Sequence, residues 1–189
     1  MKYIVSFFLS FILCGSVLAQ SPYARIEAQQ SGDTVVFAIN KEKITISSCK
    51  DNGGLTIATI AAKNTLQYRS PDVGTKFDFA LFYNNKQKEG IFFIDKHLDY
   101  NRGCEVYLLN SKGLTHLGQM PVAAYTKNGK SMDYNSILPY ISIVSAFNRV
   151  IVSFATPLLV LNPSARAEQI KANNEIFYTL ENGIFSMRE

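Results

Sequence analysis

Thr34-Val-Val-Phe-Ala-Ile39, the polar pair Asn40-Lys41, and Lys43-Ile-Thr-Ile-Ser47 decide how this chain is built. Val35, Phe37 and Ile39 recur at every second position, as do Ile44 and Ile46. Period two is the spacing of side chains on one face of a strand, and two such runs across a short polar turn predict an antiparallel hairpin.

The same grammar extends outward from this hairpin. Asp51-Asn-Gly-Gly54 breaks the chain before an apolar run at residues 55–61. Residues 77–83 and 91–94 flank a polar turn, residues 105–109 and 114–117 flank Ser111-Lys-Gly113, and residues 120–125 run into Asn128-Gly129. Residues 176–180 and 184–187 flank Glu181-Asn-Gly183 near the C-terminus. Asn and Gly suit such turns because they tolerate positive φ. No residue recurs at a fixed period, so a strict repeat is not expected. The expected fold is all-β: mostly an antiparallel hairpin meander forming a barrel-like or propeller-like curled sheet in a single domain, residues 20–189. One short helix is expected near the C-terminus, with Asn162 as N-cap, Pro163 at its first position, and residues 164–172 as its body.

Residues 137–161 form a long apolar stretch, yet Asn148-Arg149 lies at its middle and Pro139 and Pro157 interrupt it. A central Arg costs about 2.5–3.5 kcal/mol on insertion scales, so strands are expected here rather than a membrane span. The N-terminus differs. Lys2, an apolar run at residues 4–13, and Val17-Leu18-Ala19 before Gln20 have the layout of a cleavable signal peptide, residues 1–19. Cys14 follows Leu13, where a lipoprotein signal would carry a small residue. The expected location is periplasmic or secreted, with no part of the mature chain embedded in a membrane. Asn162 precedes Pro163, and no Asn-x-Ser/Thr glycosylation signal is present, which favours a bacterial periplasm.

Composition narrows the function. The chain is 47% hydrophobic and 18% charged, which excludes a disordered or coiled-coil protein, and a net charge of +4 is too small for a nucleic-acid surface. Beyond the signal peptide two cysteines remain, Cys49 and Cys104. An even count in an exported chain predicts a disulfide, and closing its loop of 54 intervening residues would contribute about 4 kcal/mol. The only histidines are His97 and His116, and no nucleophile elbow, zinc-helix motif or phosphate loop occurs. Neither a metal nor a cofactor is expected.

The most suggestive polar run is Asp95-Lys-His-Leu-Asp-Tyr-Asn-Arg-Gly-Cys104. Extended, it would project Asp95, His97, Asp99 and Asn101 to one side, but it lacks the later Glu of a calcium loop. It is expected to be a partner-binding loop made of Asp95, His97, Asp99, Tyr100, Asn101 and Arg102, braced at Cys104. The function that follows is an exported, non-enzymatic binding protein with a protein partner in the cell envelope, an inhibitor or immunity protein acting on an envelope-directed enzyme. The alternative is a small envelope hydrolase or carbohydrate-binding module using the same loop.

Overall fold

The computed structural model describes residues 21–40, 42–49, 54–59, 64–69, 76–97, 101–128, 131–146, 148–163 and 167–189. The signal peptide expected at residues 1–19 lies outside them. The described residues start with β1 (Tyr23–Ile26) and continue through β2 (Ala28–Ser31), β3 (Thr34–Ile39), β4 (Glu42–Cys49), β5 (Gly54–Thr59) and β6 (Asn64–Arg69). Next come β7 (Lys76–Asn84), β8 (Glu89–His97), β9 (Asn101–Asn110) and β10 (Gly113–Met120). β11 (Val122–Asn128) and β12 (Ser131–Asn135) precede a 3-10 turn, Leu138–Tyr140. The chain ends with β13 (Ile141–Ala146), β14 (Arg149–Phe154), β15 (Leu158–Leu161), β16 (Gln169–Ala172), β17 (Phe177–Glu181) and β18 (Ile184–Arg188).

These strands form four antiparallel sheets, and none closes into the expected barrel. The central sheet has the order β1-β7-β8-β9-β10, and the meander sheet the order β2-β3-β4-β5-β6. Two four-stranded sheets follow, β12-β11-β15-β16 and β13-β14-β17-β18. The deciding hairpin is β3–β4, and Asn40 turns it with φ of 54°. Residues 137–161 hold the 3-10 turn and three strands, and no helix of the described residues is long and apolar enough to cross a membrane.

Alternation along the central strands builds two cores. On β8, Ile91 and Phe93 face one way and Phe92 and Ile94 the other. β7 divides likewise, Ala80 and Phe82 against Leu81 and Tyr83. The first face packs with Val122, Leu159 and Leu161 of one four-stranded sheet and Ile143, Val152 and Tyr178 of the other. The second face packs on Phe37, Ile44, Ile46, Leu55 and Ile57 of the meander sheet. A strand whose two faces are both covered needs an unbroken apolar run, and Ile91-Phe-Phe-Ile94 is one.

Two further expectations fail. The C-terminal helix does not form: Asn162 is left-handed at φ of 50°, where an N-cap is extended, and Gln169–Ala172 pair with Leu158–Leu161 as a strand. Residues 164–166 lie outside the described residues. The Cys49–Cys104 disulfide is also absent, and Cys104 is a buried free thiol. Cys104 sits with Val106 on the face of β9 turned toward the four-stranded sheets, whereas Cys49 ends a strand of the meander sheet on the other side. Parity in the sequence does not tell on which face a cysteine lies, and a bond requires Cα atoms within about 7 Å.

Candidate functional site

The β8–β9 connection carries the predicted partner loop. Asp95 pairs with Cys104 and His97 with Asn101, with an irregularity between the two pairs. Two steps along β8 there face three along β9, so the extra residue of this bulge is on β9. Asp95 is fully buried and accepts a hydrogen bond from the Ser136 hydroxyl, which ties the base of the hairpin to the segment before the 3-10 turn. Arg102 is exposed, and Asp99 and Tyr100 lie outside the described residues. Bracing comes from Gly103 in place of a disulfide. At φ of +88° it lets β9 approach the β10–β11 corner so closely that a Cβ would lie 2.5 Å from the Met120 carbonyl oxygen.

A second constellation, on the opposite face, was not anticipated. Glu105 on β9 is buried and accepts hydrogen bonds from Lys96 Nζ at 2.7 Å and Gln119 Nε2 at 2.8 Å, with His116 Nε2 also at 2.8 Å. His116 pairs with Tyr107, yet Gly118 pairs with Val106 and Gln119 with Glu105, so Leu117 is an extra residue in the ladder. This bulge re-aims β10, bringing His116 and Gln119 to the same carboxylate. Gly118 inside an otherwise regular strand pattern was the available signal.

Aromatic rings enclose the cluster. Lys96 Nζ lies 5.9 Å from the centroid of the Tyr68 ring on β6, and the His116 and Tyr107 rings are 5.0 Å apart. Burial alone would raise the Glu105 carboxyl, but the hydrogen bonds from Lys96 and His116 outweigh it and hold it below the ordinary carboxylate range. Burial pulls Lys96 down, yet its hydrogen bonds to Glu105 and Tyr68 leave it raised. Tyr107 is pushed up to about 12 by burial and by the nearby Glu105 charge. Strands β5, β6 and β10 line a slot of about 200 Å³ through Ile57, Thr59, Thr65, Leu66 and Leu114.

Chemically, a carboxylate saturated by three partners and held ionised is a poor general base, because efficient acid–base groups sit near the working pH. The cluster is suited to clamping β8, β9 and β10 to β6. Among the described residues, no group of three or more His, Cys, Asp or Glu is placed to hold a metal ion. No protein-family model, curated protein or solved structure matches the chain.

Proposed function

We propose that this is an exported, non-enzymatic binding protein, periplasmic or secreted, that inhibits or neutralises an envelope-directed enzyme through the β8–β9 tip. The observation that carries the reading is the mount of that tip. β8 and β9 lie inside the central sheet, both of their faces are covered, and Gly103 and Asp95, which flank the connection, are packed in place. A binding element held on rigid strands loses little freedom on docking, which favours a plug for an active-site cleft. The hydrolase or carbohydrate-module alternative draws no support from Asp95, whose carboxyl is buried against Ser136.

The test is inhibition together with retention. The mature protein should retain one envelope enzyme at one-to-one stoichiometry and suppress its activity. Replacing Asp99, Tyr100 and Arg102 together with Ala should abolish both while leaving the melting temperature close to that of the parent. Equal inhibition by the triple variant, or catalytic turnover by the protein alone, would overturn the proposal.

A further inference from the structure

β1 covers only half of its neighbour. Its four residues pair with residues 81–84 of β7, ending at Ile26 opposite Leu81, and after Glu27 the chain enters the meander sheet as β2. Among the described residues no strand runs beside residues 76–80 on that edge of β7. A groove of about 380 Å³ lies there, with Phe77, Asp78 and Phe79 on its β7 wall, Arg25 at the end where β1 stops, and Ser136 and Leu138 across from them. The stretch of β7 with no described strand beside it is five residues, about 16 Å at the usual rise. Sheet edges of this kind are normally covered or bent away, because their main-chain groups are a template for another strand.

The pleat states what would fit. Asp78 is directly opposite Asp95 on β8, so two acidic side chains stand in adjacent positions of one cross-strand row. A residue docked next to Asp78 on that edge of β7 would extend that row, and opposite charges in such positions attract while like charges repel. Its two neighbours would turn to the other face, beside Phe77 and Phe79, which pack against the second core. We propose that the open half of β7 is a docking edge for an extended segment of a protein partner, read as apolar–basic–apolar. Main-chain hydrogen bonds to β7 would supply attachment and the alternating side chains the selectivity, as in strand addition generally. The proposal uses neither Asp99, Tyr100 nor Arg102, so it stands or falls apart from the reading of the β8–β9 tip.

The probes are two blocked peptides, acetyl-Thr-Val-Lys-Val-Thr-amide and the same peptide with Glu in place of Lys, titrated into the mature protein by NMR. The Lys peptide should shift the amides of residues 76–80 and bind about tenfold more tightly than the Glu peptide. Asp78→Lys should reverse the preference, and the milder Asp78→Asn should erase it; Asp78 is exposed, so both variants should fold. The Ala triple variant of the tip should bind the Lys peptide unchanged. Equal binding of the two peptides, shifts confined to other strands, or no shift at millimolar peptide would overturn the proposal. The chain itself carries Ile170-Lys171-Ala172 on the edge strand β16. Concentration-dependent self-association lost in Lys171→Glu would therefore assign the edge to a second copy, and would equally overturn it.

Discussion

Glu105 shows how one residue can hold four strands. Its carboxylate gathers partners from β8 and β10, and Lys96 reaches on to Tyr68 of β6. Glu105→Ala should destabilise the fold by about 3 kcal/mol in urea unfolding, since it strands the Lys96 ammonium, whose side chain is only 19% exposed. The pH dependence has two limbs. The folded Glu105 value is depressed, so its contribution is present above the unfolded value of about 4.3 and lost as pH falls through the lower folded one. The folded Lys96 value is raised, so its contribution is complete below about 10.4 and lost as pH rises through the higher folded one. The stability difference between the parent and Glu105→Gln should therefore shrink at both the acid and the alkaline extreme. Gly103 is equally exacting: Gly103→Ala should cost about 3 kcal/mol, because its Cβ would meet backbone atoms of Met120, Pro121 and Val122 at 2.5–2.8 Å in a left-handed conformation. A melting temperature unchanged from the parent would refute that packing. Little of this is readable from residue types alone. Glu105 stands in the sequence as the first residue of an apolar run, and its partners are set by a bulge whose register depends on the neighbouring strand.

Among the elements, the hairpins were legible and the exceptions instructive. Thr34–Ile39 and the run after it alternate cleanly because one face meets the core and the other water. Residues 164–172 read as helix because Ala165, Glu168 and Lys171 have fair helical propensity, a preference of tenths of a kcal/mol each that the pairing of Gln169–Ala172 with β15 overrides. Asn64–Arg69 carries a weak strand signal, since among its described side chains only Leu66 and Tyr68 pack against the second core. Sheet position sets the expected dynamics. Amides of β8 and β9 should exchange with solvent only on global unfolding, while those of the edge strands β2 and β16 should exchange by local opening. Comparable protection of β16 and β8 would contradict this. The burial of Cys104 gives a chemical counterpart. Without any reductant, Cys104 should resist alkylation in the native protein and react fully once denatured, its thiol being pushed well up by burial and by Asp95 beside it. A Cys104 that stays unlabelled in denaturant until a reductant is added would show that it is bonded after all.

Over the whole molecule the central sheet belongs to both cores, so neither can melt while the other stays intact. Thermal unfolding followed by tyrosine absorbance and by far-ultraviolet circular dichroism should give coincident single transitions. Two separated transitions would mean that the meander sheet is an independent unit. An all-β architecture could be read from alternation and turns, but the division into four sheets could not, since it depends on pairings such as Tyr23 with Asn84 that leave no mark in local sequence. The interleaving of the last two sheets has a consequence in time. β11 must wait for β15 and β14 for β17, and each of these connections spans strands of the other sheet. The two sheets therefore mature together as a late, slow event, after the locally connected meander of β2–β6 has formed. Pulse-labelled hydrogen exchange during refolding should find β3–β5 protected first, with β11, β14, β15 and β17 gaining protection in one common phase.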